Sequence, residues 1–206
     1  MRMLVFGSKD FARTVAELIR HCGHEVAGMV DDYRSGPGIL GNLESVARSH
    51  PPSEHGIAMA IGYADLPARW AAWERIRSAG YRAPPLIHPR AYVADNARIG
   101  EGAMVMAGSI VDVHAEIGEL DVLWPGACVN HDSRIGPNCF LSPNATVCGF
   151  VDIGPHSFIG AGAVVVDRVI VPRLSFIKAG SVRSDGTGKS TQDAQLHPAR
   201  AHVSER

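Results

Sequence analysis

From Ile87 to Ile177 every sixth residue is aliphatic without a break: Ile87, Val93, Ile99, Val105, Val111, Ile117, Leu123, Val129, Ile135, Leu141, Val147, Ile153, Ile159, Val165, Val171 and Ile177. A period of six matches neither a helix nor a simple alternating strand. Each hexad must therefore turn a corner and return its aliphatic residue to a shared interior. Four places after each aliphatic the side chain is small, as at Ala91, Ala97, Ala103, Ser109 and Ala115, with Asp121, Val151 and Val169 as exceptions. Gly100, Gly118, Gly136 and Gly154 recur at eighteen residues, one per three hexads. Three flat faces per coil make a triangular prism, and a recurring glycine suits tight backbone near its corners. Successive coils then pair as parallel strands, the signature of a β-helix.

The first eighty residues follow a different pattern. MLVFG (3–7), EVAGMV (25–30) and IAMAIG (57–62) read as buried strands. Phe11, Val15, Leu18, Ile19 and Cys22 recur at helical spacing before Gly23, a second helix follows Asn42, and a third carries Trp70, Trp73 and Ile76 to Gly80. The order βαβαβα predicts a small parallel Rossmann-like sheet covered by helices. Ligands of such sheets bind beyond the carboxyl ends of the strands, here at Gly7-Ser8-Lys9, Asp31-Asp32 and Gly62-Tyr63. Lys9 and Asp10 read as turn and helix-cap residues. The expected division is 1–84 for the α/β part, 85–183 for the β-helix and 184–206 for a polar, disordered tail.

A net charge of −1 with no basic stripe argues against nucleic acid. No apolar run reaches the length of a membrane span. Cys22, Cys128, Cys139 and Cys148 show no CxxC spacing and follow no signal peptide, so reduced thiols in a soluble, cytoplasmic protein are expected. GTGKST (186–191) lacks the leading glycine of a phosphate loop, since Arg183 stands there.

VNHDSRIG (129–136) places His131 and Asp132 on the exposed part of a hexad, between the inward Val129 and Ser133. Counting eighteen back gives Val113 and His114, and eighteen forward gives Gly149 and Phe150. Gly149 should thus lie one coil from His131. A carboxylate can fix a histidine tautomer and raise its basicity, and a bare glycine N–H can meet an oxyanion.

With LIHP (86–89) between the two halves and the NHDSRIG segment on the hexad helix, residues 3–182 resemble the bacterial hexapeptide-repeat sugar acyltransferases. These are the bacillosamine- and perosamine-type nucleotide-amino-sugar N-acetyltransferases, with the sialic-acid O-acetyltransferases. The resemblance implies a left-handed parallel β-helix and a homotrimer with acetyl-CoA, and no metal, in the groove between neighbouring β-helices. It implies a general base at His131, its carboxylate partner at Asp132, and a Gly149 N–H facing the thioester oxygen. Phe140, Ala161 and Lys178 would lie along the acyl-CoA path. Gly7, Ser8, Asp31, Asp32, Gly62 and Tyr63 match segments that line the pocket for a nucleotide-linked amino sugar, used in surface-glycan biosynthesis. Three departures stand out. Many members have a glycine-rich first turn where this chain reads GSKDFA (7–12), a second histidine where it has Phe140, and a VGxPAK-like ending where it has the polar tail.

Other functions fit less of the chain. A zinc hydratase on the same β-helix needs three converging histidines, and His156 falls on a different face from His114 and His131. A dehydrogenase fails for want of GxGxxG spacing. Transfer to a sugar hydroxyl, or a nucleotide-sugar-binding trimer whose transferase site has decayed, remain as alternatives.

Overall fold

The structure, a computed structural model, describes residues 1–184. GTGKST and the remainder of the polar tail, expected to be disordered, lie outside the described residues. The chain opens with β1 (Arg2–Phe6), α1 (Asp10–His21), β2 (Glu25–Val30), β3 (Ile39–Gly41), α2 (Leu43–Ser49), β4 (His55–Met59) and α3 (Leu66–Ser78). Its sheet has the order β3-β2-β1-β4 with every pair parallel. The three strands read from the sequence are present. The edge strand β3 was not foreseen, because three residues are too few to display a period.

Local chemistry sets the helix ends. In α1, Ala12, Val15, Leu18 and Ile19 form the buried stripe, and Gly23 at φ 76° ends the helix in the left-handed conformation that favours glycine. Asn42 accepts the Ser45 N–H at 2.9 Å to start α2, and Asp65 accepts the Ala68 N–H at 2.9 Å to start α3. Lys9 occupies the corresponding position of α1 but makes no side-chain cap.

From β5 (Leu86–Ile87) to β21 (Val182–Arg183), two-residue strands form a parallel β-helix of three sheets. Partners are eighteen residues apart, as in Cys128 with Thr146 and Val129 with Val147. The hexad aliphatics from Val105 to Ile177 make one continuous core with Ala103, Ala115, Ala127, Cys139, Ala145 and Ala163. The repeating glycines stand in tight backbone beside the corners, where space rather than conformation requires them. A Cβ on Gly100 would stand 2.6 Å from Glu119 N, and one on Gly118 2.7 Å from Pro137 N, so these positions are glycine because the next coil passes against them. The left-handed corner residues come two places later and are mostly not glycine: Leu120, Asn138, His156 and Leu174 have φ between 58° and 63°.

Alternation puts the other residue of each strand outside. One outer face carries Leu86, Met104, Val122 and Phe140, which pack with Val15, Leu18 and Ile19 of α1 and with Met3 and Val5 of β1. A second carries Tyr92, Ile110, Cys128, Thr146, Val164 and Val182, and the third Arg98, Glu116, Arg134 and Asp152. The α/β part is locked to the first face by Arg69 of α3, which is fully buried. Its Nε donates to Ile61 O and its Nη1 to Leu120 O, each at 2.9 Å, and Nη1 also reaches Asn138 Oδ1. Burial pulls the Arg69 guanidinium down to about 9, against the attraction of Asp121. Asp121, the charged exception in the hexad pattern, is also fully buried, where it accepts the Gly118 and Cys139 N–H groups at 2.7 Å. Burial pushes its carboxyl well above the usual range.

Candidate active site

His131 and Asp132 occupy the corner between β12 (Cys128–Val129) and β13 (Arg134–Ile135), where the apolar second face meets the charged third. Asp132 turns that corner at φ 56°. Its N–H donates to Val113 O at 3.1 Å, while His131 O accepts the Phe150 N–H at 3.2 Å, so the pair is tied to the coils on either side. His131 Nδ1 lies 3.0 Å from Asp132 Oδ2 with the two side chains 45% and 40% exposed, open enough to meet a ligand. A carboxylate at Nδ1 keeps the proton there and leaves the Nε2 lone pair free. The imidazole meets the Phe150 ring edge-on at 5.2 Å, and the Arg168 guanidinium lies over Phe150 at 4.4 Å.

Gly149 lies one coil on, directly against the imidazole. A Cβ there would stand 2.7 Å from His131 Cε1 and 2.8 Å from Nε2. Its N–H, expected to face a thioester oxygen, donates instead to Asp167 Oδ1 at 2.8 Å.

Two of the other residues expected along the acyl-CoA path stand apart from His131 within one chain. Ala161 and Lys178 are exposed at the corners between the first and second faces, so the width of the second face separates them from His131. Phe140 requires a correction. It is 1% exposed on the first face, packed against Phe11 and Tyr63 with Arg69 above its ring, and presents no surface to an acyl group. Its large apolar side chain is taken up by the contact between the two halves of the chain.

At the carboxyl ends of the α/β strands, Gly7, Ser8 and Asp31 come together. Gly7, at φ 116°, lies so close to β4 that a Cβ would meet Ala60 O at 2.9 Å. Ser8 Oγ donates to Asp31 Oδ2 at 2.5 Å. Burial alone would raise the Asp31 carboxyl, but Ser8, the Tyr33 and Arg34 N–H groups and the Arg34 charge hold it below its ordinary value. Asp32 is turned to structural work, accepting the Leu43 N–H at 3.0 Å and pairing with Arg75 at 2.8 Å. Gly62 and Tyr63 follow β4, and the half-exposed Tyr63 ring reaches across to Phe158 at 4.6 Å. The pocket end of the sheet therefore adjoins the β-helix.

Sequence reasoning missed Asp167 and Arg69. Asp167 was within reach of the eighteen-residue count, two coils from His131. Arg69 gave no signal, since an arginine in a helix ordinarily faces water. His114, His131 and His156 do not converge: His156 Nδ1 takes the Asn138 Nδ2 hydrogen bond at 2.8 Å beside Trp70, and His114 lies near Asn96. Among the described residues no group of three or more His, Cys, Asp or Glu is placed to hold a metal ion. Nor is any described helix long and apolar enough to cross a membrane.

The model of the bacterial transferase hexapeptide (six repeats) matches residues 132–167. No curated protein sequence matches the chain significantly. Among solved structures, PerB from Caulobacter crescentus in complex with CoA and GDP-perosamine is 31% identical, with a TM-score of 0.81 over 89% of each chain. A perosamine N-acetyltransferase from the same organism, with one histidine replaced by alanine and with CoA and GDP-perosamine bound, is 31% identical with a TM-score of 0.82 over 89% of each chain. The acetyltransferase domain of PglB from Neisseria gonorrhoeae FA1090, in complex with acetyl coenzyme A, is 29% identical with a TM-score of 0.80 over 89% of this chain and 90% of that one. A parallel β-helix of hexads joined to a small α/β sheet, with these relatives, defines an acyltransferase. The chain belongs to the bacterial hexapeptide-repeat sugar acyltransferases, the family of the Caulobacter perosamine N-acetyltransferase.

Proposed function

We propose that this protein is an acetyl-CoA-dependent N-acetyltransferase acting on a nucleotide-linked amino sugar, in the cytoplasmic assembly of a surface glycan. The observation that carries the reading is the His131–Asp132 pair at 3.0 Å, half-exposed, with Gly149 against the ring. Support for the substrates comes from the relatives of similar length solved with CoA and GDP-perosamine or with acetyl-CoA. Residues 1–84 would hold the sugar nucleotide. Gly7, Ser8, Asp31, Gly62 and Tyr63 ring the carboxyl ends of the strands, and the start of α1, which no side chain caps, offers N–H groups to a phosphate. Residues 85–183 would hold the acyl donor.

Acetyl-CoA supplies the acyl group as a thioester. In a ternary complex His131 Nε2 takes the proton of the sugar amine as that amine attacks the thioester carbonyl, and CoA departs as the thiolate. Asp132 stabilises the imidazolium that results. The Gly149 N–H receives the charge that develops on the carbonyl oxygen. No covalent enzyme intermediate is needed, because a deprotonated amine is a competent nucleophile.

The distribution of these residues favours a homotrimer. His131 and Gly149 border one edge of the apolar second face, and Ala161 and Lys178 border the other. A neighbour laid against that face would bring the Ala161 and Lys178 edge of one copy to the His131 edge of the next, around one donor. Ile110 at 41% and Val182 at 68% exposure mark the face as unpartnered within one chain.

The test is thiol release from acetyl-CoA against a panel of nucleotide-linked 3-amino and 4-amino sugars, with the matching hydroxyl sugars as controls. Release that requires one amino sugar and requires His131 is expected. Release only with a hydroxyl sugar would replace the amine acceptor. No release with any acceptor, despite calorimetric binding of a sugar nucleotide, would leave a binding protein in place of the enzyme.

A further inference from the structure

Asp167 sits on the one backbone donor that acyl transfer at this corner would use. Its Oδ1 accepts the Gly149 N–H at 2.8 Å, and Gly149 in turn abuts the His131 ring. We propose that Asp167 is a positioning residue that occupies the Gly149 N–H in the absence of donor and yields it to a thioester carbonyl. The enzyme would thereby distinguish thioester from free thiol at this atom. The inference rests on the reading of Gly149 as the oxyanion donor.

The backbone around Asp167 is fixed, while its side chain is exposed and held by the Gly149 N–H. Val166 N–H donates to Arg183 O at 2.9 Å and Arg168 N–H to Gly149 O at 3.0 Å, and Arg168 is further held over Phe150. Asp167 itself is exposed, so rotation about its side-chain bonds carries the carboxylate into water without uncovering any core. The competition then has a definite direction. A carboxylate is a stronger acceptor than a neutral thioester carbonyl, and a weaker competitor against the anionic oxygen of the transition state. Asp167 thus opposes ground-state binding of the donor more than it opposes the transition state, the condition under which lost affinity need not lower turnover. After transfer the CoA thiol has no carbonyl to offer, and the carboxylate returns to Gly149.

Calorimetric titration of the full chain with acetyl-CoA and separately with CoA, without acceptor, tests this in wild type, Asp167→Ala and Asp167→Asn. The alanine variant should bind acetyl-CoA about 3–10-fold tighter, the range expected for an exposed charge-assisted hydrogen bond. Asparagine, a neutral acceptor, should fall between, and CoA affinity should stay constant across all three. Unchanged or weaker acetyl-CoA binding by Asp167→Ala would overturn the proposal. So would equal tightening for both ligands, which would reflect only the removal of a negative charge from the path of an anionic ligand. Wild-type protein that binds neither ligand would overturn the transferase reading and this inference with it.

Discussion

The imidazole of His131 rests on the bare Cα of Gly149: a methyl group there would stand 2.7 Å from Cε1 and 2.8 Å from Nε2. Gly149 is not among the residues with left-handed backbone, so the space it leaves, rather than its conformation, makes it glycine. Gly149→Ala should therefore push the ring off its position while leaving the coil intact. A displacement of about 1 Å at a catalytic group can cost about 10²-fold in rate. Turnover should fall by about that factor with little change in melting temperature. Near wild-type turnover would show that the ring position does not matter.

The base can be tested separately from its carboxylate. His131→Ala should lower turnover by about 10²–10⁴-fold, the usual range for general-base action, and spare the fold because the side chain is half-exposed. Asp132→Asn is the cleaner probe of the partner, since asparagine tolerates the φ of 56° at that corner. It should lower turnover less than His131→Ala, because the base remains and only the group that stabilises its imidazolium is lost. If turnover is unchanged, Asp132 serves only to turn the corner.

Much of the β-helix was legible because its periodicity is enforced by geometry: sixteen aliphatics at one phase have no use other than a shared interior. The same counting sets Gly149 one coil from His131. It could not foresee Phe140, whose position on an outer face is decided by α1 and Tyr63, residues far away in sequence. Nor could it assign Asp32, where a strand-end acid that looks like a ligand group is spent on Leu43 N and Arg75. Contacts within one coil or between coils follow from the repeat. Contacts between the two halves of the chain do not.

Arg69 is the fully buried charge among those unforeseen contacts. Removing it by Arg69→Met leaves Ile61 O, Leu120 O and Asn138 Oδ1 without their donor and removes the positive charge that favours the Asp121 carboxylate. Each buried acceptor left without its donor costs about 1–3 kcal/mol, so the loss should reach several kcal/mol. Denaturant unfolding should show a loss of that order, with the α/β part loosened from the first face. A loss below about 1 kcal/mol, the scale of a surface pair, would show that the network is not what joins the halves.

His156 makes the same junction sensitive to acid. Asn138 Nδ2 donates to its Nδ1 at 2.8 Å, an arrangement that requires the neutral ring. Burial, and then the charge of Arg173, lowers its pKa below the ordinary 6.5. The unfolded chain therefore binds more protons than the folded chain in the interval between the ordinary and the lowered value. Stability should fall as pH drops below about 6.5, and the loss should be complete beneath the folded value. His156→Gln retains an acceptor for Asn138 without the titration and should remove that part of the slope. Parallel stability curves for the two proteins from about pH 7.5 to about pH 5 would refute the assignment.

The apolar second face carries the last prediction. Ile110 sits on it between Tyr92 and Cys128, its strand neighbours in the adjoining coils. An arginine at that position would place a charge of one sign on every copy where the faces meet. Because Ile110 is already 41% exposed in the single chain, Ile110→Arg should leave the coil folded. Light scattering should show a trimer for wild type and a monomer for Ile110→Arg, with unchanged circular dichroism. Acetyl transfer should be lost with the trimer, since Ala161 and Lys178 of one copy could no longer face His131 of another. A monomeric variant that keeps full activity would confine the active site to one chain, and a donor would then have to be held without Ala161 and Lys178.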